Sequence, residues 1–299
     1  MLEARHRLDR GVRERHNKNM RKTFIVIIAS LVLLLLLWGI APFGGIFRVS
    51  DRTTIPFGTM IDEAVRSDII VIGELHDVQQ HHDTQLAVIK ALHEADTPLF
   101  IAMEMFRADS QKDLDAWTGG ALPQDRFLSV YYRNWTMPWP LYGRILLYAR
   151  EHGIPVIGLN IPDRIVDTVA RRGFAALTSE ERGQIPPGIS CTVDTRYMAF
   201  IRRAYAGHGM RDERSFQNFC EAQMLRDKAM AIHLLDALRA NPGKKAVVMA
   251  GVGHAWRRGI PEQASLLSQY RSRVILPVLP GQAASESVTL EDADYLVLH

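Results

Sequence analysis

The sequence predicts an α/β fold, a mostly parallel sheet flanked by helices and interrupted by helical insertions, preceded by one N-terminal transmembrane helix. Three observations predict it. Short apolar, β-branched runs alternate with helix-period stretches through residues 59–299, the pattern of βαβ units. Two of those runs, SDIIVIGELH (67–76) and VVMAGVGH (247–254), break into the same Gly-x-x-His form at their ends. Finally, Phe24 to Phe43 carries no charge and is long enough for about 30 Å of helix, one membrane crossing.

The amino terminus sets the expected topology. Residues 1–23 form a basic tail with eight Lys/Arg against three acids, so the positive-inside rule keeps it cytoplasmic. The apolar segment 24–43 exceeds the core of a signal peptide, and no clean small-x-small cleavage site follows, which favours an uncleaved anchor. The expectation is a single-pass protein of the inner (cytoplasmic) membrane, with its main domain periplasmic or extracellular. Without the tail, the 36 basic and 33 acidic residues fall to 28 and 30, so the remainder is near neutral and gives no argument for nucleic acid. The two cysteines, Cys191 and Cys220, do not stand where a lipid-attachment cysteine would. They would either form a disulfide closing about thirty residues, worth about 3 kcal/mol, or remain two buried thiols.

In chain order, residues 44–58 read as a linker and Thr59 to Arg66 as a lead-in helix. Ile69 to Gly73 is a strand buried on both faces. Asp77, with Gln80 returning the bond, is placed to cap a helix running to about Ala95, which carries His82, Leu86, Ile89 and His93 on one face. A second strand, 98–106, ends in Glu104, an acid that an apolar run tolerates only if it is paired, liganding or at the open end. The segment 126–150 is dense in aromatic residues, and its portion from Trp135 to Pro140, with two prolines, reads as a loop over something flat and apolar. A third strand, 154–162, ends at Asn160. Helical sequence follows from Asp163 to Gly173, and a long helix from about Ser215 to Ala240 places Gln223 and Asp227 on an otherwise apolar stripe. Strands at 246–250, 273–281 and 294–299 complete the sheet.

The polar residues at the strand ends define the candidate chemistry. In an open α/β sheet these ends face one crevice, so Glu74, His76, Glu104, Asn160 and His254 are expected together, with His82 nearby. Two imidazoles and a carboxylate suit a divalent first-row metal. On that reading His76, Glu104 and His254 are the metal's ligands, and Glu74 serves as general base or orients a histidine. The alternative is that each histidine only satisfies a backbone group at a helix start. Arg257 and Arg258 follow His254 and would hold a carboxylate or propionate, or else form a plain surface face. The chain has no third glycine in AGVGHAW, no Walker motif, no His-Glu-x-x-His and no Gly-x-Ser-x-Gly, which disfavours NAD enzymes and serine hydrolases.

GELHDVQQHH (73–82), AMEMF (102–106), WPLYGRILLYAREHGIPVIGLNIP (139–162), AQMLRDKAMA (222–231) and AGVGHAW (250–256) together resemble the ChaN-like haem-binding proteins, grouped with the Tiki, TraB and erythromycin-esterase proteins. The resemblance covers nearly all of residues 65–280. It implies an α/β fold and haem bound between the subunits of a homodimer, with tyrosine ligation and a role in iron uptake that passes haem to transporter or receptor components. The tyrosine candidates are Tyr131 and Tyr132, with Tyr142 behind them, and Arg126, Arg133 and Arg144 offer cations for the propionates. The resulting expectation is a membrane-anchored, periplasm-facing haem-binding protein; the alternative, which the Tiki and esterase relatives imply, is a peptidase or esterase in which His76, Glu104 and His254 hold Mn, Co or Zn and Glu74 and Glu104 are the catalytic acids.

Overall fold

The computed structural model describes residues 44–204, 212–279 and 288–299. The expected basic tail (1–23) and membrane helix (24–43) lie outside the described residues. Among the described residues, no helix is long and apolar enough to cross a membrane.

Eight strands form one sheet: β1 (Gly45–Arg48), β2 (Thr53–Ile55), β3 (Ile69–Glu74), β4 (Leu99–Arg107), β5 (Val156–Asn160), β6 (Lys245–Gly251), β7 (Ser272–Pro277) and β8 (Tyr295–Leu298). Their order is β2-β1-β8-β7-β3-β6-β4-β5. β8, β7, β3, β6, β4 and β5 run parallel, and β1 and β2 add an antiparallel edge. That edge lies within the stretch read as a linker, whose strands of four and three residues are too short to show periodicity.

The helices are α1 (Phe57–Ala64), α2 (Gln79–Glu94), α3 (Gln111–Thr118), α4 (Gln124–Asn134), α5 (Trp139–Glu151), α6 (Asp163–Arg172), α7 (Ser179–Arg182), α8 (Thr195–Ala204), α9 (Glu213–Ala240), α10 (Val252–Ala255) and α11 (Ile260–Leu267). The expected Asp77 cap is not formed: α2 starts two residues later, with Val78 at its N-cap and no side-chain bond there. Helix α4 ends at Asn134 and α5 opens at Trp139 with a proline in its first turn, so the two prolines of the aromatic segment mark a connection and a helix start.

Period-two alternation along the strands divides the core into two layers. Ile70, Ile72, Val247 and Met249 face a cluster built with α1 to α5, while Ile69, Val71, Ala246, Val248 and Ala250 face α8, α9 and α11. A smaller cluster joins α6 to α9 through Ile165, Val169, Ala222, Leu225 and Ala229. Cys191 and Cys220 are free thiols, so the disulfide is not formed. Burial pushes both thiols up to about 12.

Candidate functional site

The same alternation aims the strand-end acids. Glu74 continues the face of Ile70 and Ile72, toward α2 and α5, whereas Glu104 continues the face of Phe100 and Ala102, toward α9. β6 lies between β3 and β4, so both acids border Gly251, which pairs with Glu74. A Cβ on Gly251 would stand 2.7 Å from His76 Cε1 and 3.6 Å from Glu104 Oε2, so a glycine is what lets the two side chains meet over the backbone.

Glu74 is fully buried and heavily bonded. Oε1 accepts from His76 Nδ1 at 2.8 Å and from the Tyr142 hydroxyl; Oε2 accepts from Gln85 Nε2 at 2.7 Å and faces His82 Nδ1 at 3.3 Å. Burial opposes its ionisation, but the bonds from His76 and His82 prevail and hold it down at about 2. The other nitrogen of His82 faces the His76 carbonyl at 3.1 Å, so both ring nitrogens point at oxygen acceptors and the imidazolium fits the pocket. Burial works against that charge, and the Glu74 carboxylate raises the pKa of both His82 and His76.

Glu104 forms the second half. Oε1 accepts from Arg226 Nη2 at 2.6 Å and lies 3.8 Å from His254 Nε2; Oε2 accepts from the Gly251 amide at 2.7 Å. Despite burial, His254 and Arg226 lower its pKa. His254 Nδ1 donates to Asp227 Oδ1 at 2.6 Å, and Asp227 Oδ2 accepts from the Tyr197 hydroxyl at 2.7 Å. Burial raises Asp227 against these partners. Asn160 donates to the Glu104 carbonyl at 3.0 Å. The His76 side chain is 36% exposed and Arg226 19%, so these two form the solvent-facing mouth of an otherwise buried network.

Glu74, His76, His82, Glu104, Asn160 and His254 therefore lie together; Asp227, expected only on an inward helix stripe, joins them through His254, and Gln223 lies buried one turn before it. The metal set does not form. Among the described residues no three of His, Cys, Asp and Glu are arranged to hold a metal ion. The guanidinium of Arg226 occupies the Glu104 oxygen that a cation would need, and places a positive charge there. Arg257 lies elsewhere: it donates to Asp294 and to the Leu290 carbonyl, which commits it to anchoring the start of β8.

The tyrosines divide by exposure. Tyr131 and Tyr142 are fully buried, with hydroxyls donating to the Met137 carbonyl and to Glu74. Burial, joined at Tyr142 by the Glu74 charge, pushes both phenols up. Tyr132 on α4 is 52% exposed, and its oxygen accepts from the Trp139 amide at 3.2 Å. Arg126 and Arg133 are exposed on the same helix; Arg133 pairs with Asp113 at 3.0 Å, and Arg144 pairs with Asp83.

The residues not anticipated are Arg226, Gln85, Tyr197 and the bond of Tyr142 to Glu74. Arg226 had one signal, a cation directly beside the inward-facing Asp227.

Residues 60–264 match the family model described as haem-binding uptake, Tiki superfamily, ChaN. Among solved structures, that of cofacial haem binding to ChaN of Campylobacter jejuni superposes with a TM-score of 0.66 at 19% identity, covering 85% of this chain and 96% of that one. A structure of the erythromycin esterase EreC in its open conformation gives 0.45 at 12% identity, covering 85% and 82%. Protein RETICULATA-RELATED 5, chloroplastic, of Arabidopsis thaliana is 24% identical over 148 residues, 47% of this chain. The chain spans about a fifth of the length of that curated relative, 20%. At 19% identity the likeness to the Campylobacter structure shows the fold alone.

Proposed function

This chain belongs to the ChaN family of haem-binding uptake proteins in the Tiki superfamily, and on that premise we propose that it binds haem through the phenol of Tyr132. One observation carries the choice: of the three candidates Tyr131, Tyr132 and Tyr142, Tyr132 alone is exposed. An iron-ligating phenol must give up its proton, which burial disfavours at Tyr131 and Tyr142. At Tyr132 the Trp139 amide donates to the phenol oxygen and fixes its position on the exposed face of the helix. Haem supplies an iron that accepts this ligand, and the exposed Arg126 offers a cation to its propionates, with Arg133 available if it leaves Asp113.

A flat ligand on an exposed helix keeps one face in water unless a second copy covers it, so the working unit is a homodimer with haem between the subunits. The apolar segment 24–43, behind its basic tail, anchors the domain to the inner membrane on the periplasmic side, where haem passes to transporter or receptor components. Hemin titration tests the reading. It predicts saturable binding with a shifted Soret band and sedimentation as a dimer; an unshifted Soret band with no saturation refutes it.

A separate observation favours a second activity, hydrolysis. The network at the strand ends buries charged groups that surface haem binding does not use, and it opens to solvent at His76. With Nδ1–H on Glu74, His76 presents Nε2 as a base for an attacking water, and Arg226 stands beside it for the developing oxyanion. Ester and peptide substrates offered to wild type and His76→Ala test this, and equal background rates in both proteins remove it.

A further inference from the structure

We propose that His93 and His152 form a binding site for a late first-row divalent cation, Zn2+, Ni2+ or Cu2+, at the end of the sheet opposite the strand-end carboxylates. Helices α2 and α5 pack against each other, and each ends just before a strand begins, β4 at Leu99 and β5 at Val156. Because β4 and β5 are paired neighbours, the two helix C-termini meet. His93 lies in the last turn of α2, and His152 is the C-cap of α5.

The two imidazoles are already at ligand spacing. Their ring centroids are 4.9 Å apart. Two imidazoles on one tetrahedral ion, with metal–nitrogen bonds of about 2.0–2.1 Å, hold their centroids about 5 Å apart. Tyr148 organises both rings. Its hydroxyl hydrogen-bonds His93 Nδ1 at 2.9 Å, its ring lies tilted against His152 with centroids 4.0 Å apart, and its backbone carbonyl accepts from His152 Nδ1 at 2.9 Å. A carbonyl only accepts, so the His152 proton sits on Nδ1 and Nε2 carries the lone pair, the state found in metal-ligating histidines.

The surrounding field also favours a cation. Each helix C-terminus carries about half a negative charge, and Glu94 and Glu151 are the last residues of α2 and α5. Lys90, 5.2 Å over the Tyr148 ring, offsets part of this. Two protein nitrogens leave the remaining positions to water, and imidazole ligands suit zinc, nickel and copper.

Calorimetric titration of the full-length chain with Zn2+ tests the site, with Cu2+ electron paramagnetic resonance counting coupled nitrogens. Eleven histidines are present, so the readout is the difference between variants. His152→Ala and His93→Ala should each lose the same single Zn2+ equivalent and leave the others in place. Tyr148→Phe, which keeps the ring contact and removes the hydroxyl, should weaken that equivalent about tenfold. His152 is exposed, and circular dichroism confirms that its variant is folded. Unchanged stoichiometry and affinity in both alanine variants overturns the proposal, as does loss in only one of them.

Discussion

Arg226 and Glu104, 122 positions apart in the chain, meet at 2.6 Å between the long helix and a strand end. The carboxylate is almost fully buried, and the guanidinium closes the mouth over it with 19% of its side chain exposed. A buried charge that loses its partner costs far more than the pair contributes, because the survivor stays desolvated.

Arg226→Ala should therefore destabilise the fold by about 3 kcal/mol, at the lower end of the range for breaking a buried pair because the arginine is partly solvated. Urea unfolding monitored by circular dichroism checks this, and Arg226→Lys should recover part of the loss.

Removing the Tyr142 hydroxyl tests the other half of the network. Tyr142→Phe keeps the ring and deletes one donor to a buried carboxylate that retains Gln85, His76 and His82. The expected cost is about 1.5–3 kcal/mol, the range for a bond to a charged group. A change below 0.5 kcal/mol, on the order of a neutral surface substitution, would show that this bond does not hold Glu74 in place.

The Glu74 titration has a definite sign. Its folded pKa of about 2 lies below the ordinary 4.5, so the stability it contributes is present above about 4.5 and is lost as pH falls toward about 2. The stability difference between wild type and Glu74→Gln should accordingly shrink as pH falls below about 4.5, a window below the titrations of His76 and His82. Denaturant midpoints for both proteins across that window measure it, and a difference independent of pH would contradict the assigned charge.

Much of this site is legible in the sequence, for physical reasons. A buried parallel strand is a run of β-branched residues, so a polar residue closing it, as at Glu74 or Asn160, marks the open end of the sheet; Glu104 stands instead just past the regular pairing of β4, which runs on to Arg107. Asp227 stands out because a carboxylate on an apolar stripe needs a partner. Arg226, one residue away, sits about 100° round the helix and reads as solvent-facing until the strand end beneath it is known. Arg257 shows the converse: its partner Asp294 is 37 positions on, and nothing local separates an anchoring cation from a ligand-binding one. The hydroxyl of Tyr142 is hidden within an aromatic run whose rings are core, since periodicity locates a ring and says nothing of where its hydroxyl points.

The measurement that tests the central claim most directly is hemin binding by Tyr132→Phe beside wild type, with resonance Raman reading the iron–phenolate vibrations. Wild type should show phenolate ligation. Tyr132→Phe should lose it and bind at least about tenfold more weakly, the loss of about 1.4 kcal/mol or more, while Tyr131→Phe retains the wild-type spectrum. An unchanged phenolate signature and affinity in Tyr132→Phe would contradict the account.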